Sequence, residues 1–443
     1  MIELSPEILT FLMFASLLVF LLLGHPVAFV LGGLSIIFGI IGWGPEIFSI
    51  FMSRIVGITD NYVLVAVPLF ILMGNILGNS GVAEGLFDSV RHLFGPVRGG
   101  LAVGVIVVST LLAACTGIIG ASVVTMGLMA LPVMLKYKYD KKLSCGCIAA
   151  GGSLGILIPP SIMLVVMGAQ TGMSVGKLYA GAILPGLTLS ALYIIWILVI
   201  CYLHPQDGPS VTAEERAAIS SKQLTIMLLK SLVPPMILIL GVLGSMFAGI
   251  ATPTEAAGVG SLLAFLMSVI YGKFTWRNLY QAVISTAKAT SMVIIILIGA
   301  TCFTGVFLGL GGGEVTTKFI LGLGLGKWGV FFIMMLISFI VGCFIDWIGI
   351  VMLTFPIFIP IATKIGFDPF WFVVATAVLL QSSFLTPPFG NALFYLKAIA
   401  PEEVKTSDIW WGAIPYIGLQ AFGLIIVLLF PEFITWLPTV LVK

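Results

Sequence analysis

Long apolar runs follow one another along almost the whole sequence, separated by short polar or glycine-rich breaks. A helix needs about 20 apolar residues to cross the hydrocarbon of a bilayer, and its backbone polar groups must be bonded internally there. Charged residues make up only 9% of the chain, whereas soluble domains carry roughly 25%. The alternating strands of a membrane barrel are not found in the sequence. The sequence therefore predicts an all-α polytopic membrane protein.

Eight of these runs predict unbroken membrane-spanning helices, at about 8–24, 27–45, 61–79, 177–203, 231–250, 255–272, 276–300 and 411–436. The partly polar segment 81–97 is expected to lie in the membrane interface, and a glycine-rich segment is expected to follow residue 300 as far as 327. His204–Lys222 is the only long polar stretch, and we interpret it as a loop that joins two halves.

Four interruptions within apolar runs point to a binding site. Two pairs of short pieces predict hairpins that enter and leave by one face: 98–114 with 117–135, and 328–344 with 347–363. Two longer runs, 144–170 and 369–397, contain adjacent prolines and predict broken spans, at Pro159–Pro160 and Pro387–Pro388. Interrupted backbone survives at membrane depth only inside protein or beside trapped water. Its free carbonyls can then coordinate Na⁺, and its helix N-termini favour an anion.

The two halves match at an offset of 228 residues, which pairs Cys115 with Cys343 and Pro132 with Pro360. Each half would have five spans and one re-entrant hairpin. Five crossings are an odd number, so the copies would have opposite orientations. With both termini outside, the inner loops hold thirteen Lys and Arg and the outer segments hold six, as the positive-inside rule requires. The sequence thus predicts an inverted repeat, the architecture of secondary transporters.

Six parts follow from this division of the chain. They are a first scaffold or arm part (1–97), a first hairpin with its broken helix (98–175), a span with a cytoplasmic linker (176–230), a second scaffold or arm part (231–327), a second hairpin with its broken helix (328–400) and a last span (401–443).

Polar side chains near the four interruptions are few. The tips offer Thr116, Ser122, Thr125, Asp346 and Thr354, and the breaks offer Ser153, Ser161, Gln381, Ser382, Ser383, Thr386 and Asn391. Hydroxyls and carbonyls suit an alkali cation, and no Cys/His cluster suits a transition metal. The alternative is that the hydroxyls bond a carbonyl one turn back and the glycines only allow close packing. Asp346 is costly in an apolar hairpin, which favours an ion, proton or substrate contact over a purely stiffening role.

At these residues the chain resembles the large membrane subunit of tripartite ATP-independent periplasmic (TRAP) transporters, of the dicarboxylate-permease M type. The segments that carry the resemblance are GASVVTMGLMALPVMLKYKYDKKL, AAGGSLGILIPPSI, FIDWIGIVMLTFPIFIP and LTPPFGNALF. The resemblance implies a Na⁺-coupled elevator transporter of the bacterial inner membrane, with a scaffold and a moving transport domain. It also implies two partners, a small four-helix membrane subunit and a periplasmic substrate-binding protein. Because the first span begins near residue 8, we expect the small subunit to be a separate chain.

The resemblance also implies Na⁺ sites between each tip and its adjacent broken helix. The first site maps to Gly117, Gly120, Ser122, Gly152, Ser153, Gly155 and Pro159, and the second to Asp346, Gly349, Thr354, Ser383, Thr386, Pro387 and Gly390. The second tip, WIGIVM, has fewer hydroxyls than the first. Substrates of this family are usually small organic acid anions. We expect Thr116, Thr125, Ser161, Ser382 and Asn391 to contact such a carboxylate or sulfonate, because no Arg is predicted within the membrane to clamp it.

Other functions remain open at this point. A stand-alone sodium–dicarboxylate symporter could have the same architecture and work without a binding protein. An anion channel, or a membrane scaffold without transport, would also fit the composition. An intramembrane enzyme is disfavoured, because the sequence has no HExxH motif and no nucleophile–base pair that suggests catalysis. Basic residues interleaved with aromatics, which would indicate nucleic-acid binding, are missing as well.

Overall fold

A computed structural model describes residues 5–210, 220–387 and 390–442, without the side chain of Thr116. Every regular element in those ranges is helical. The first half contains α1 (Pro6–Leu22), α2 (Val27–Trp43), α3 (Ile47–Thr59), α4 (Ala66–Gly78), α5 (Val82–Phe94), α6 (Gly100–Thr116), α7 (Ile119–Lys136), α8 (Lys141–Ser153), α9 (Ile162–Thr171) and α10 (Val175–Leu203). The second contains α11 (Ser221–Phe247), α12 (Pro253–Ile270), α13 (Trp276–Gly309), α14 (Gly312–Gly322), α15 (Lys327–Gly342), α16 (Trp347–Lys364), α17 (Pro369–Leu385), α18 (Asn391–Ile399), α19 (Thr406–Leu429) and α20 (Glu432–Leu441).

Membrane-spanning length is common among these helices. Within the described ranges, eight helical stretches are long and apolar enough to cross a bilayer, the first being the continuous run Val27–Thr59. Many large apolar side chains on their outer faces are exposed, as lipid contact requires. The prediction of an all-α polytopic membrane protein is confirmed. The amphipathic helix α5 bends away from α4 by 58°, although its position relative to the membrane stays a prediction.

The predicted interruptions are all present. α6 and α7 are separated by Gly117–Ile118 and pack against each other, and α15 and α16 do the same across 343–346. α8 ends at Ser153 and α9 begins at Ile162, while α17 ends at Leu385 and α18 begins at Asn391. α7 and α16 correspond at both ends at the offset of 228 residues. The order of elements therefore repeats, whereas the opposite orientation of the two copies stays a prediction.

The structure differs from the predicted elements in four places. α3 was not predicted, because Ser49, Ser53 and Arg54 dilute its apolar residues. α11 begins ten residues before the predicted start of 231, where Ser220 and Gln223 form a capping box. The expected glycine-rich segment is largely helical, and Gly311, at φ 86°, separates α13 from α14. The last span ends at Leu429, and a separate helix, α20, follows Pro431.

A stretch that forms one long helix in the second half is divided into two helices in the first. α13 is an uninterrupted helix of 34 residues. In the first half, α3 and α4 together occupy the corresponding stretch of sequence. Between them lie Asp60, Asn61 and a 3₁₀ segment, Tyr62–Val65. Asn61 begins that segment by accepting a hydrogen bond from the Val63 amide at 3.0 Å.

The two halves interlock around the interruptions. α2 packs on α13 and α12 packs on α4, which forms a paired frame. Next to it, α7 of the first hairpin contacts α18, and α16 of the second hairpin contacts α9. The broken helices lie at the centre, because every residue of α8 from Leu143 and of α17 from Trp371 to its end is buried. The interrupted backbone is thus surrounded by protein.

Helices α8 and α19 cross with their backbones in direct contact. A Cβ atom added at Gly146 would lie 2.1 Å from the carbonyl oxygen of Gly412, and one added at Gly412 would lie 2.2 Å from that of Lys142. No side chain fits at either position without separating the helices. Small residues allow this close approach, which stabilises helix pairs in membranes through packing.

We predict that Gly146→Ala lowers the free energy of unfolding by about 1–3 kcal/mol, the usual cost of overpacking a tight contact. The matched control is Gly258→Ala on α12, where nothing lies within 4 Å of an added Cβ. Monodisperse protein remaining after heating in detergent would be measured for both variants. Equal melting temperatures for Gly146→Ala and the wild type would contradict the packing described here.

Candidate substrate and ion site

A cavity of about 90 Å³ lies where the two tips and the two breaks meet. We call it the tip cavity. Its walls include Gly117 and Gly120 of the first tip, Asp346 of the second tip and Asn391 after the second break. The structure therefore brings together four residues that the sequence predicted as site residues. The other lining residues are Ile71, Ile118, Ile119, Ile162, Ala289, Met292, Val293, Trp347, Ile348 and Tyr395.

Four helices begin at the tip cavity. Ile119, Ile162, Trp347 and Asn391 are the first residues of α7, α9, α16 and α18, and all four line it. The first amides of a helix lack intrahelical partners and carry the positive end of the helix dipole. Four such ends around one small cavity create a site that favours negative charge. The carboxyl group of Asp346, which directly precedes α16, lies at the same place.

The first tip packs tightly on its neighbours. Gly117 has φ 62°, and a Cβ added there would lie 3.3 Å from the Ile162 side chain and 3.5 Å from the Pro160 carbonyl oxygen. A Cβ added at Gly120 would lie 3.1 Å from the Tyr395 ring. Gly117 has the left-handed backbone that favours glycine, and the missing side chain at Gly120 lets the Tyr395 ring pack closely on the tip.

Side chains bind the interrupted backbone of the first break. Ser161 donates a hydrogen bond to the Ile156 carbonyl and accepts one from the Leu164 amide, so that it caps α9. The hydroxyl of Tyr179 on α10 donates to the Ser161 carbonyl at 3.2 Å. The peptide bond between Pro159 and Pro160 is cis. These contacts satisfy backbone groups that would otherwise be unpaired within the protein.

The second break, at the described residues, is closed in a similar way. Thr386 donates from its hydroxyl to the Ser382 carbonyl at 2.7 Å, and the Gly390 amide donates to the Thr386 carbonyl at 3.0 Å. Pro387 lies in this turn and is half-buried. Pro388, the second proline of the predicted break, lies outside the described residues.

An oxygen-lined gap separates the first tip from its broken helix. A Cβ added at Gly155 would lie 3.3 Å from Ser122 Oγ and 3.8 Å from the Ile118 carbonyl oxygen. Glycine therefore leaves a space there that faces two oxygen atoms. One turn earlier, a Cβ added at Gly152 would lie 3.0 Å from the Val123 amide nitrogen, so the two backbones almost touch.

At the corresponding position in the second half, the hydroxyl group belongs to the broken helix instead of the hairpin. At the offset of 228 residues, Ser122 corresponds to Ile350 and Gly155 to Ser383. A Cβ added at Gly342 would lie 2.6 Å from Ser383 Oγ and 3.2 Å from the Ile350 side chain. Ser383 also donates to the Leu380 carbonyl at 2.8 Å. Each half thus has one hydroxyl facing a glycine, contributed by the hairpin in the first half and by the broken helix in the second.

Other predicted residues lie away from the tip cavity or serve the backbone. Ser153 is buried and donates to the Ala150 carbonyl at 2.8 Å. Thr354 donates to the Ile350 carbonyl at 2.8 Å and lines an apolar groove beside α1. Gly349 packs near Val27 of α2 rather than beside α17. The described contacts of Thr354 and Gly349 are thus with other parts of the chain, and their role in an ion site stays a prediction.

Three other residues were predicted from the sequence to contact the substrate: Thr125, Ser382 and Thr116. Thr125 is half-buried on α7, one turn beyond Ser122, and Ser382 is buried in the last turn of α17. The side chain of Thr116 lies outside the described residues. Neither Thr125 nor Ser382 lines the tip cavity as described.

Sequence reasoning missed Tyr395 and Gly342. Tyr395 lies four residues after Asn391, on the same face of α18, so helical periodicity after the second break could have identified it. Gly342 corresponds to Ala114, another small residue, and only that weak signal marks it. The frame residues Ile71, Met292 and Val293 are apolar and carry no sequence signal for a site.

The fold and the site define a class. A multi-pass helical protein in which paired hairpins and paired broken helices surround one cavity is a membrane transport protein, and it is not an enzyme. The family comparison is more specific. Residues 14–433 match the family described as "Tripartite ATP-independent periplasmic transporter, DctM component". The chain belongs to this family and is one component of a tripartite system.

Two relatives and one solved structure illustrate the likeness. The C4-dicarboxylate TRAP transporter large permease protein DctM of Vibrio cholerae is 28% identical, over 97% of each chain. The isethionate TRAP transporter permease protein DctMQ of Oleidesulfovibrio alaskensis is 29% identical over 94% of this chain and 64% of that longer protein. The crystal structure of the Alcanivorax borkumensis YdaH transporter superposes with a TM-score of 0.63 over 97% of this chain and 99% of that one. At 14% identity, this last likeness concerns the fold alone.

Proposed function

We propose that the chain carries out Na⁺-coupled uptake of a small organic acid anion across the bacterial inner membrane. The observation that carries this proposal is the convergence of four helix N-termini on the tip cavity, beside the Asp346 carboxyl group. The N-termini favour an anion, and a carboxylate at the same place favours a cation. An anion and a cation bound together would balance their charges inside a low-dielectric interior, which gives a physical basis for coupled transport.

The substrate class follows from the chemistry of the tip cavity and from the relatives. C4-dicarboxylate and isethionate, a sulfonate, are the compounds in the names of the two relatives described above. Helix N-termini and the Asn391 amide would hold either anion, because both present oxygen atoms as hydrogen-bond acceptors. Ser161 and Ser382 at the breaks, and Thr116 and Thr125 on the first hairpin, are the further substrate contacts that we propose.

The Na⁺ sites that we propose lie between the tips and the breaks. The gap beside Gly155 has the hard oxygen atoms that an alkali cation prefers, from Ser122 and the Ile118 carbonyl. The other ligands that we propose for this first site are backbone groups of residues nearby in the sequence, namely Gly117, Gly120, Gly152, Ser153 and Pro159. In the second half we propose Asp346, Ser383, Thr386, Pro387 and Gly390. Gly349 and Thr354, which the resemblance also implies for this site, stay predictions.

We propose an elevator mechanism in which 98–175 and 328–400 move against a frame built from 1–97 and 231–327. The interlocking of the two hairpins with the opposite broken helices supports their movement as one body. α19 would move with them, because its backbone contact with α8 at Gly146 and Gly412 leaves no room for sliding. The partners that we propose are a small membrane subunit and a periplasmic substrate-binding protein.

The direct test is uptake by proteoliposomes that contain the chain and the small membrane subunit. We expect labelled anion to accumulate only with an inward Na⁺ gradient and the loaded binding protein. Uptake with Na⁺ alone, without acceleration by the binding protein, would instead support a stand-alone sodium–dicarboxylate symporter. Anion currents that do not depend on Na⁺ would support a channel.

Ser122→Ala removes the side-chain oxygen that faces Gly155, so we expect the Na⁺ concentration for half-maximal uptake to rise several-fold. The matched control is Ser35→Ala on α2, whose buried hydroxyl bonds the Gly32 carbonyl at 2.7 Å, away from the site. The initial rate of uptake would be measured against Na⁺ concentration. An unchanged Na⁺ dependence in Ser122→Ala would remove this residue from the ion site.

The proposed orientation, with both termini periplasmic, predicts which side each loop faces. Lys138, in the turn after the first hairpin, and Lys177, at the start of α10, are both exposed. A cysteine at Lys138 should react with impermeant thiol reagents only from the cytoplasm, and one at Lys177 only from the periplasm. Right-side-out and inverted vesicles would be compared. Labelling with the opposite preference would reverse the topology.

A further inference from the structure

A second, larger cavity of about 610 Å³ opens beside α3. We call it the outer crevice, and its polar lining consists of Ser49, Ser53, Arg54, Asn61, Gln170 and Thr301. These residues come from α3, from the joint before α4, from the end of α9 and from α13. None of them was predicted from the sequence as a site residue.

Arg54 is the charged group of the outer crevice. Its side chain lies against α13 where Gly305 leaves room, since a Cβ added at Gly305 would lie 3.2 Å from Arg54 Nε. Among the described residues, Arg54 has no carboxylate within ion-pair distance. A guanidinium in a polar cavity without a carboxylate partner has its hydrogen-bonding fork available for an anion.

Neutral polar groups surround this guanidinium. The hydroxyl oxygen of Thr301, one turn before Gly305 on α13, is buried and has no hydrogen-bond partner among the described residues. Asn61 accepts the Val63 amide with Oδ1, which leaves its Nδ2 group as a donor. Gln170 adds a second amide from the opposite wall. Such a set of donors beside one Arg is suited to a carboxylate or a sulfonate.

The outer crevice and the tip cavity share two lining helices, α9 and α13. On α9, Ile162 lines the tip cavity and Gln170 lines the outer crevice. On α13, Val293 and Thr301 do the same. Each pair is eight residues apart, so the two cavities are separated by about 12 Å along these helices. An anion that left the outer crevice along α9 and α13 would reach the four helix N-termini.

We propose that the outer crevice is a second anion site, at which Arg54 receives the carboxylate or sulfonate of the substrate before it reaches the tip cavity. This inference rests on the proposed function, because it assigns the outer crevice to the transport route. The phosphate of an anionic lipid has similar chemistry, and the experiment below separates the two sources.

The test measures protection of a cysteine placed in the outer crevice. Ser53→Cys would be introduced with Cys343→Ser, since Cys343 is the one half-buried native cysteine and the other five are buried. The complex would be placed in nanodiscs of neutral lipid, and its reaction with an anionic thiol reagent would be timed with succinate or isethionate as the probe. We expect either probe to slow the reaction. In Arg54→Gln the concentration for half-maximal protection should rise about tenfold, the loss expected for one charge-assisted contact.

Two control variants and the addition of anionic lipid show whether the protection depends on Arg54 and on the probe. Arg54→Lys should keep part of the protection, and Lys177→Gln, which removes an exposed charge on the same predicted side, should keep all of it. No protection by either probe, or protection that Arg54→Gln leaves unchanged, would overturn the inference. Slower labelling only when anionic lipid is added, without an effect of the probes, would assign Arg54 to a lipid headgroup and also overturn it.

Uptake measurements separate this inference from the proposed function. Arg54→Gln should raise the anion concentration for half-maximal uptake while the Na⁺ dependence stays that of the wild type. If the wild type shows no Na⁺-dependent uptake, the proposed function fails, whatever the protection assay gives. If the wild type transports normally and Arg54→Gln has the same half-maximal anion concentration, the outer crevice is not on the transport route.

Discussion

Backbone amides and carbonyls at membrane depth must have hydrogen-bond partners, and this requirement governs the centre of the molecule. Two helices are interrupted there, and each interruption is enclosed by buried side chains and bonded by hydroxyl groups. Tyr179 and Ser161 serve the first break, and Thr386 serves the second. The frame of α2, α4, α12 and α13 contacts these elements through α4, which packs on α9, and α13, which packs on α16. A site made of helix N-termini is thereby stable in a protein whose outer surface faces lipid.

The charges of the site follow from the same interruptions. Each break and each tip begins a new helix, and the first residues of α7, α9, α16 and α18 all reach the tip cavity. Their dipoles favour an anion, whereas the Asp346 carboxyl group and the oxygen-lined gap beside Gly155 favour a cation. The proposed binding of an anion and of Na⁺ would be mutually favourable in such a place. The outer crevice, whose lining residues on α9 and α13 lie about 12 Å farther along these helices, adds the positive charge of Arg54.

Much of the fold could be predicted from the sequence, because apolar length and proline position are local signals. The hairpins and both breaks were identified in that way, and with them the nearby polar residues Asp346 and Asn391, whereas Gly117 and Gly120 were implied by the resemblance to the family. Contacts between distant segments were not accessible. Nothing in the sequence places Tyr395 against the first tip, or turns Thr354 towards α1. α3 was missed since its polar face lines the outer crevice, which makes the segment too polar to read as a span. Ion coordination depends on carbonyl positions, which residue types do not encode.

The two halves differ in how readily one of their long helical stretches can bend. α13 is a single rod of 34 residues, whereas its counterpart in the first half has a joint at Asp60–Asn61. A continuous helix resists bending, because bending strains its successive hydrogen bonds, while a joint needs only a few backbone torsions to change. Flexing of the two arms would therefore be unequal and concentrated beside Asn61, at the wall of the outer crevice. Opening and closing would then bend the helices of one half at a hinge that the other half does not have.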